Sequence, residues 1–136
     1  MKLLMIYCSL FGYETSIKTI ESYPDINEKK EIRDALVGFI QAEEDDEANG
    51  STVETKLIKN LKWAARKNNT QRIVLHSFAH LSDSKASVDF TKQMFDSAED
   101  RLTGTDYEVS QTPFGYFLHL KIEAPGESLA RIFKAI

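Results

Sequence analysis

The chain carries none of the short signatures that mark familiar catalytic sites. It has no Gly-x-Ser-x-Gly, no P-loop, no Cys-x-x-Cys and no His-Glu-x-x-His. Its one cysteine, Cys8, cannot close an internal disulfide, which favours a reducing cytoplasm. No apolar run reaches the roughly 18 residues that a membrane-spanning helix needs. The opening MKLLMIYCSLFGYE starts as a secretory leader does, but its apolar stretch is short. No small-residue cleavage site follows and the pattern alternates, so it reads as a first strand. Positive charge is also scarce: 17 Lys and Arg against 21 Asp and Glu leave −4 at neutral pH. Proteins that grip nucleic acid through phosphates are usually basic. Tight RNA binding here therefore requires a local basic patch or a helper.

What is present fits a single globular domain. The chain has 136 residues, 42% of them hydrophobic and 28% charged, enough to bury a core without staples. Residues 2–9 read as a buried strand that Gly12 breaks, and YETSIKTI follows as its hairpin partner. The polar, proline-containing SYPDINEKKEIR reads as a loop, and DALVGFIQAEE as a central strand apolar on both sides. The acidic run 43–47 reads as a solvated loop. Ser51 and Glu54 then form a Ser-x-x-Glu capping box before an amphipathic helix whose apolar residues include Val53, Leu57, Leu61 and Ala64. QRIVLHSF is a strand. A second helix begins near Ala86 and stops at Gly104, two more strands meet around Pro113 and Gly115, and ESLARIFKAI closes the chain as a helix. The order is β-β-β-α-β-α-β-β-α, an α/β (α+β) class with helices packed on a mixed sheet.

The polar side chains read mostly as ordinary. His76, His80 and His119 lie on separate elements without ligand spacing, and no metal or cofactor is expected. Lys59, Lys62 and Arg66 share one helix face, with Lys56, Lys67 and Arg72 close in sequence. A solvated face is the expectation, an RNA-backbone contact the alternative, and Trp63 reads as packed. Two stretches stand apart: HSFAHLS, a strand end with a polar exit, and QTPFGYFLHLK, with Pro and Gly at a strand mouth. Such bends bring backbone close to a ligand, and free backbone N–H and C=O groups at strand ends can read a small polar molecule.

Together with the opening KLLMIYCS, the strand ALVGFIQAE and the closing LHLKI and GESLARI, these stretches resemble the N-terminal editing domain of archaeal threonyl-tRNA synthetases. That family has a D-aminoacyl-tRNA deacylase-like fold. The resemblance covers nearly the whole chain and implies one editing-type domain, 1–136. It would remove serine from Ser-tRNA(Thr), either free-standing or as part of a threonyl-tRNA synthetase. It further implies a homodimer that meets the tRNA acceptor end and works without a metal, largely through backbone groups and the 2′-hydroxyl of the terminal adenosine. Carried onto this chain, His80 is the catalytic, orienting histidine. Ser77, Phe78 and Ala79 line the amino-acid pocket, Tyr116 and Phe117 wall the nucleotide side, and Ala42 and Phe39 close the pocket. Tyr7, Cys8 and Ser9 stand where the family often has His-Ser-Asp. Leu118 replaces a family lysine, and Arg131 a glutamate of the last helix. These departures carry the alternative readings: a non-catalytic module that binds tRNA or synthetase, or an enzyme of changed specificity. A D-aminoacyl-tRNA deacylase shares the fold.

Overall fold

The computed structural model describes all residues, Met1–Ile136. Its elements in chain order are strands β1 (Lys2–Lys18) and β2 (Lys29–Gln41), helix α1 (Gly50–Lys67), β3 (Arg72–Ser77), α2 (Val88–Thr103), β4 (Glu108–Gln111), β5 (Tyr116–Glu123) and β6 (Arg131–Ala135). Short 3₁₀ turns span Glu44–Ala48 and Ser128–Ala130. The strands form one mixed sheet in the order β4-β3-β2-β1-β5, with β6 also paired to β1. The expected class, a D-aminoacyl-tRNA deacylase-like mixed sheet carrying helices, is the one that forms.

The order of elements departs from expectation at both ends. Residues 2–9 and the following segment are not two strands but one, β1, which runs through Gly12 beside β2 in the register Lys2↔Gln41 to Glu14↔Lys29. Gly12 does not break it. A Cβ there would lie 3.3 Å from Lys121 Cβ on β5, so the glycine admits a close neighbour within a continuous strand. The hairpin partner is β2, which begins at Lys29, inside the segment read as loop. The closing ESLARIFKAI is not a helix. Leu4 and Met5 of β1 pair with Phe133 and Ile132, because the free edge of β1 supplies hydrogen-bond partners that outweigh helix propensity.

Two apolar clusters flank the sheet. On one face α1 and α2 bury Leu57, Leu61, Phe95 and Leu102 against Leu3, Met5, Leu36, Ile40, Ile73 and Leu75. On the other, Phe11, Val37, Phe39 and Val74 form a smaller cluster beneath Phe78 and Leu118. The capping box expected at Ser51 and Glu54 is absent, since the chain already coils at Glu44–Ala48 and Asn49 becomes the N-cap. Glu54 instead accepts from Ser97 Oγ (2.8 Å) and Arg101 Nη1 (2.7 Å) of α2. The serine that does cap is Ser87, whose hydroxyl accepts from Phe90 N at the start of α2. The acidic run is not simply solvated. Asp46 is buried, accepting from the Met1 ammonium (3.0 Å) and from Glu43 N (2.7 Å).

Candidate active site

At one end of the sheet lies a cavity of about 410 Å³, within the range of small-molecule sites. The ends of β2 and β3 form one wall. The start of α2, the turn 113–115 and the start of β5 form the rest. Of the residues picked out in the sequence, Ser77, Phe78, Ala79, His80, Tyr116, Phe117 and Ala42 all line it. Phe39 does not. Its ring packs behind two residues that do, Phe78 (centroids 5.3 Å apart) and its cross-strand partner His76 (5.1 Å).

Both strand mouths are held rigidly. The β3 exit begins with Phe78 N donating to Ile40 O (3.0 Å). The following loop is clamped by Gln41, whose Oε1 accepts from Leu81 N and Ser82 N and whose Nε2 donates to Ser82 O and Ser84 O. Ala86 N then donates to Ala42 O (3.0 Å). Between these ties the N–H groups of Ala79 and His80 take no partner within the chain. At the other mouth, Gly115 has φ +85, a conformation that favours glycine, and its carbonyl accepts from Thr19 N (2.7 Å) and Thr19 Oγ1 (3.0 Å). Phe114 packs on Tyr23 and Phe95. The Tyr116 hydroxyl donates to Pro24 O and accepts from Ile26 N, both at 2.7 Å. Its ring thus faces the cavity while its polar tip fastens the 19–28 loop.

The chemistry of the walls is narrow. No carboxylate lines them. The basic groups are His76, His80 and Lys85. His76 is buried among Phe11, Phe39 and Phe78 with Nδ1 2.8 Å from Thr112 Oγ1, and burial pushes its pKa down to about 4. It is a neutral structural group at pH 7. His80 is exposed, its ring edge-on to Phe78 (5.0 Å) and stacked at 19° to Phe117 (6.5 Å), itself 54% exposed. Lys85 makes no ion pair.

The remaining carried-over positions divide. Leu118 lines the cavity, whereas Arg131 pairs with Ile6 on β6 and does not. Tyr7, Cys8 and Ser9 also lie outside it. Tyr7 donates to Asp34 Oδ1 (3.1 Å), Ser9 to Glu123 O (3.2 Å), and Cys8 is buried. Sequence reasoning missed Lys85 and the clamping role of Gln41. Nothing in SDSKAS singles out the lysine. Gln41 was detectable in principle, as a polar residue ending an otherwise apolar strand must find partners.

Comparison with known proteins gives the family and the fold. Residues 1–136 match the family described as the archaea-specific editing domain of threonyl-tRNA synthetase. The chain is 31% identical to a threonine–tRNA ligase of Thermococcus gammatolerans over 100% of its own length and 22% of the relative's. The corresponding ligases of Thermococcus kodakarensis and Methanosphaera stadtmanae are each 30% identical with the same coverage, so the chain spans about a fifth of these relatives. The solved structure of the c-Myc DNA Unwinding Element Binding Protein shares the fold, with a TM-score of 0.71 at 10% identity over 100% of this chain and 99% of that one. On its sequence from end to end, the chain belongs to the archaea-specific editing domains of threonyl-tRNA synthetase.

Proposed function

We propose that this domain hydrolyses mischarged tRNA, removing L-serine from Ser-tRNA(Thr), with the tRNA acceptor end seated in the cavity between the β3 and β5 mouths. The observation that carries this reading is the wall itself: two partnerless N–H groups, Ala79 and His80, beside aromatic rings, with no acidic side chain in reach. Backbone donors suit an amino acid's ester carbonyl, and flat rings suit an adenosine. The Phe78 N–H is already taken by Ile40, so Phe78 contributes its carbonyl and Ala79 its N–H.

In the reaction, water adds to the ester carbonyl, the bond to the ribose oxygen breaks, and that oxygen leaves with a proton. No carboxylate base lines the walls. The family resemblance implies that the substrate's own 2′-hydroxyl activates the water, with His80 orienting it. Lys85, which lines the same cavity as Leu118, supplies positive charge there and offsets the missing family lysine. Threonine differs from serine by one methyl, worth about 1–3 kcal/mol in a synthetic site and too little for fidelity. A second, hydrolytic site rejects threonine sterically instead.

The domain works as a homodimer on this reading. The sheet face opposite the helices leaves Leu120, Ile122 and Phe133 exposed by 38%, 40% and 53%, alongside Leu4, Ile6 and Leu118. A second copy laid on that face would abut the cavity through β5. The catalytic part of the synthetase, fused or in trans, is the other partner.

A competing reading, a module that binds tRNA or synthetase without hydrolysis, draws on Leu118 in the cavity wall. A deacylation assay with Ser-tRNA(Thr), Thr-tRNA(Thr) and a D-aminoacyl-tRNA separates them. Release of serine alone supports editing. Release of the D-amino acid alone makes the chain a D-aminoacyl-tRNA deacylase, and binding without release leaves the module.

A further inference from the structure

We propose that the outer arc of α1 is a docking surface for RNA, taking strand phosphates on four cations and one accessible base on Trp63. The inference goes beyond hydrolysis, since none of these residues lines the cavity.

The helical spacing builds the patch. Lys56, Lys59, Arg66 and Lys67 stand at i−7, i−4, i+3 and i+4 from Trp63, so they surround it on one face. All five are exposed, and Trp63, which the sequence read as packed, keeps 37% of its surface open. None of the four cations lies within an ion-pair distance of a carboxylate. The single acid of α1, Glu54, points away and is bound by Ser97 and Arg101. Lys62 leaves the patch at its flank, its ammonium over the Tyr107 ring.

In a chain of net charge −4, an uncompensated cationic arc is a local exception. Surface lysines alone would not select RNA over any acidic surface. The exposed indole within the ring of cations does. A positive track with an aromatic platform is how proteins hold accessible nucleic-acid strands, each stacked base contributing roughly 1–3 kcal/mol. The patch runs about 16 Å along the helix axis, from Lys56 to Lys67, at 1.5 Å per residue. That length holds several phosphates.

Trp63 is the only tryptophan of the chain, so it reports on its own occupancy. Titration of the wild-type domain with an unacylated tRNA transcript should quench its fluorescence. The plot of log affinity against log salt should have a slope of about −3, as expected for four phosphate contacts on a single strand. The variant K56Q/K59Q/R66Q/K67Q keeps good helix formers. It should flatten that slope by most of this value and weaken binding at low salt by roughly tenfold or more. The pairs K56Q/K59Q and R66Q/K67Q, each giving about half the change in slope, serve should the quadruple variant not fold. Neutralising the exposed pair Lys29 and Lys30 on β2 should change nothing. Unaltered affinity and slope in the α1 variants overturn the proposal, even if those variants lose binding to the rest of the synthetase, which would mean an acidic protein partner. Unquenched Trp63 on saturation overturns the base contact. Binding that follows α1 without any deacylation leaves this inference standing and removes the editing reading.

Discussion

His80 and Lys85 enter the cavity from the same clamped loop, yet only the histidine was legible in the sequence. The strand end HSFAHLS stands out in the sequence, but the role proposed for His80 comes from the family resemblance rather than from any local pattern. Lys85 sits among serines and declares itself only when folding sets it beside the cavity. His80→Ala should slow Ser-tRNA(Thr) deacylation by about one to two orders of magnitude, the low end for a positioned acid–base group. Lys85→Ala should lower it as well, with Lys85→Arg restoring part of the rate. Wild-type rates in His80→Ala would remove that residue from the site. Cys8 gives a test of a different kind. It is buried in the apolar cluster opposite the helices, and burial pushes its thiol pKa up to about 11. The folded domain should therefore resist thiol reagents at pH 7.5 and react stoichiometrically once unfolded in denaturant; rapid labelling of the folded domain is the contrary result.

Local sequence rules worked for the two helices and failed where tertiary pairing decided. The apolar spacing of α1 and α2 announced both helices, and the buried run 35–42 announced a central strand. Gly12 misled because a glycine that admits a neighbouring strand has the same local signature as one that ends a strand. The last segment misled because its amphipathic pattern fits a helix, whereas the unpaired edge of β1 recruits it as β6. The capping rule shows the same tension and can be measured. Ser87→Ala removes the hydroxyl that accepts from Phe90 N and should cost about 1 kcal/mol in urea unfolding. Ser51→Ala, at the sequence motif that forms no cap, should stay within about 0.5 kcal/mol of wild type. The reverse ranking would return the cap to Ser51.

Acid should weaken the whole domain in two stages. His76 is held neutral with its pKa down at about 4, against an ordinary 6.5. The unfolded chain therefore takes up a proton below 6.5 that the folded chain refuses until about 4. Stability should fall as pH drops through that window, by about 3 kcal/mol in total. Glu43 adds a second stage. The Met1 ammonium and Ser82 hydroxyl hold its carboxylate down at about 2, against 4.5, so its contribution is present above 4.5 and lost on going towards 2. Urea midpoints that stay level from pH 7 to 4 would contradict the burial of His76. The proposed homodimer is tested on the open sheet face: the wild-type domain should sediment as a dimer and Ile122→Asp with Phe133→Asp as a monomer while the fold persists, and unchanged sedimentation would argue against that face. The arrangement of β1 also bears on how the domain is made. Its first strand pairs along one side with β2 and along the other with both β5 and β6, the two strands furthest from it in sequence. On a ribosome, β1 and β2 can meet early, but the opposite side of β1 stays unsatisfied until residues 131–135 have emerged. Such long-range closure predicts slow, all-or-none maturation, with an exposed strand that nascent-chain chaperones would have to shield in the interval.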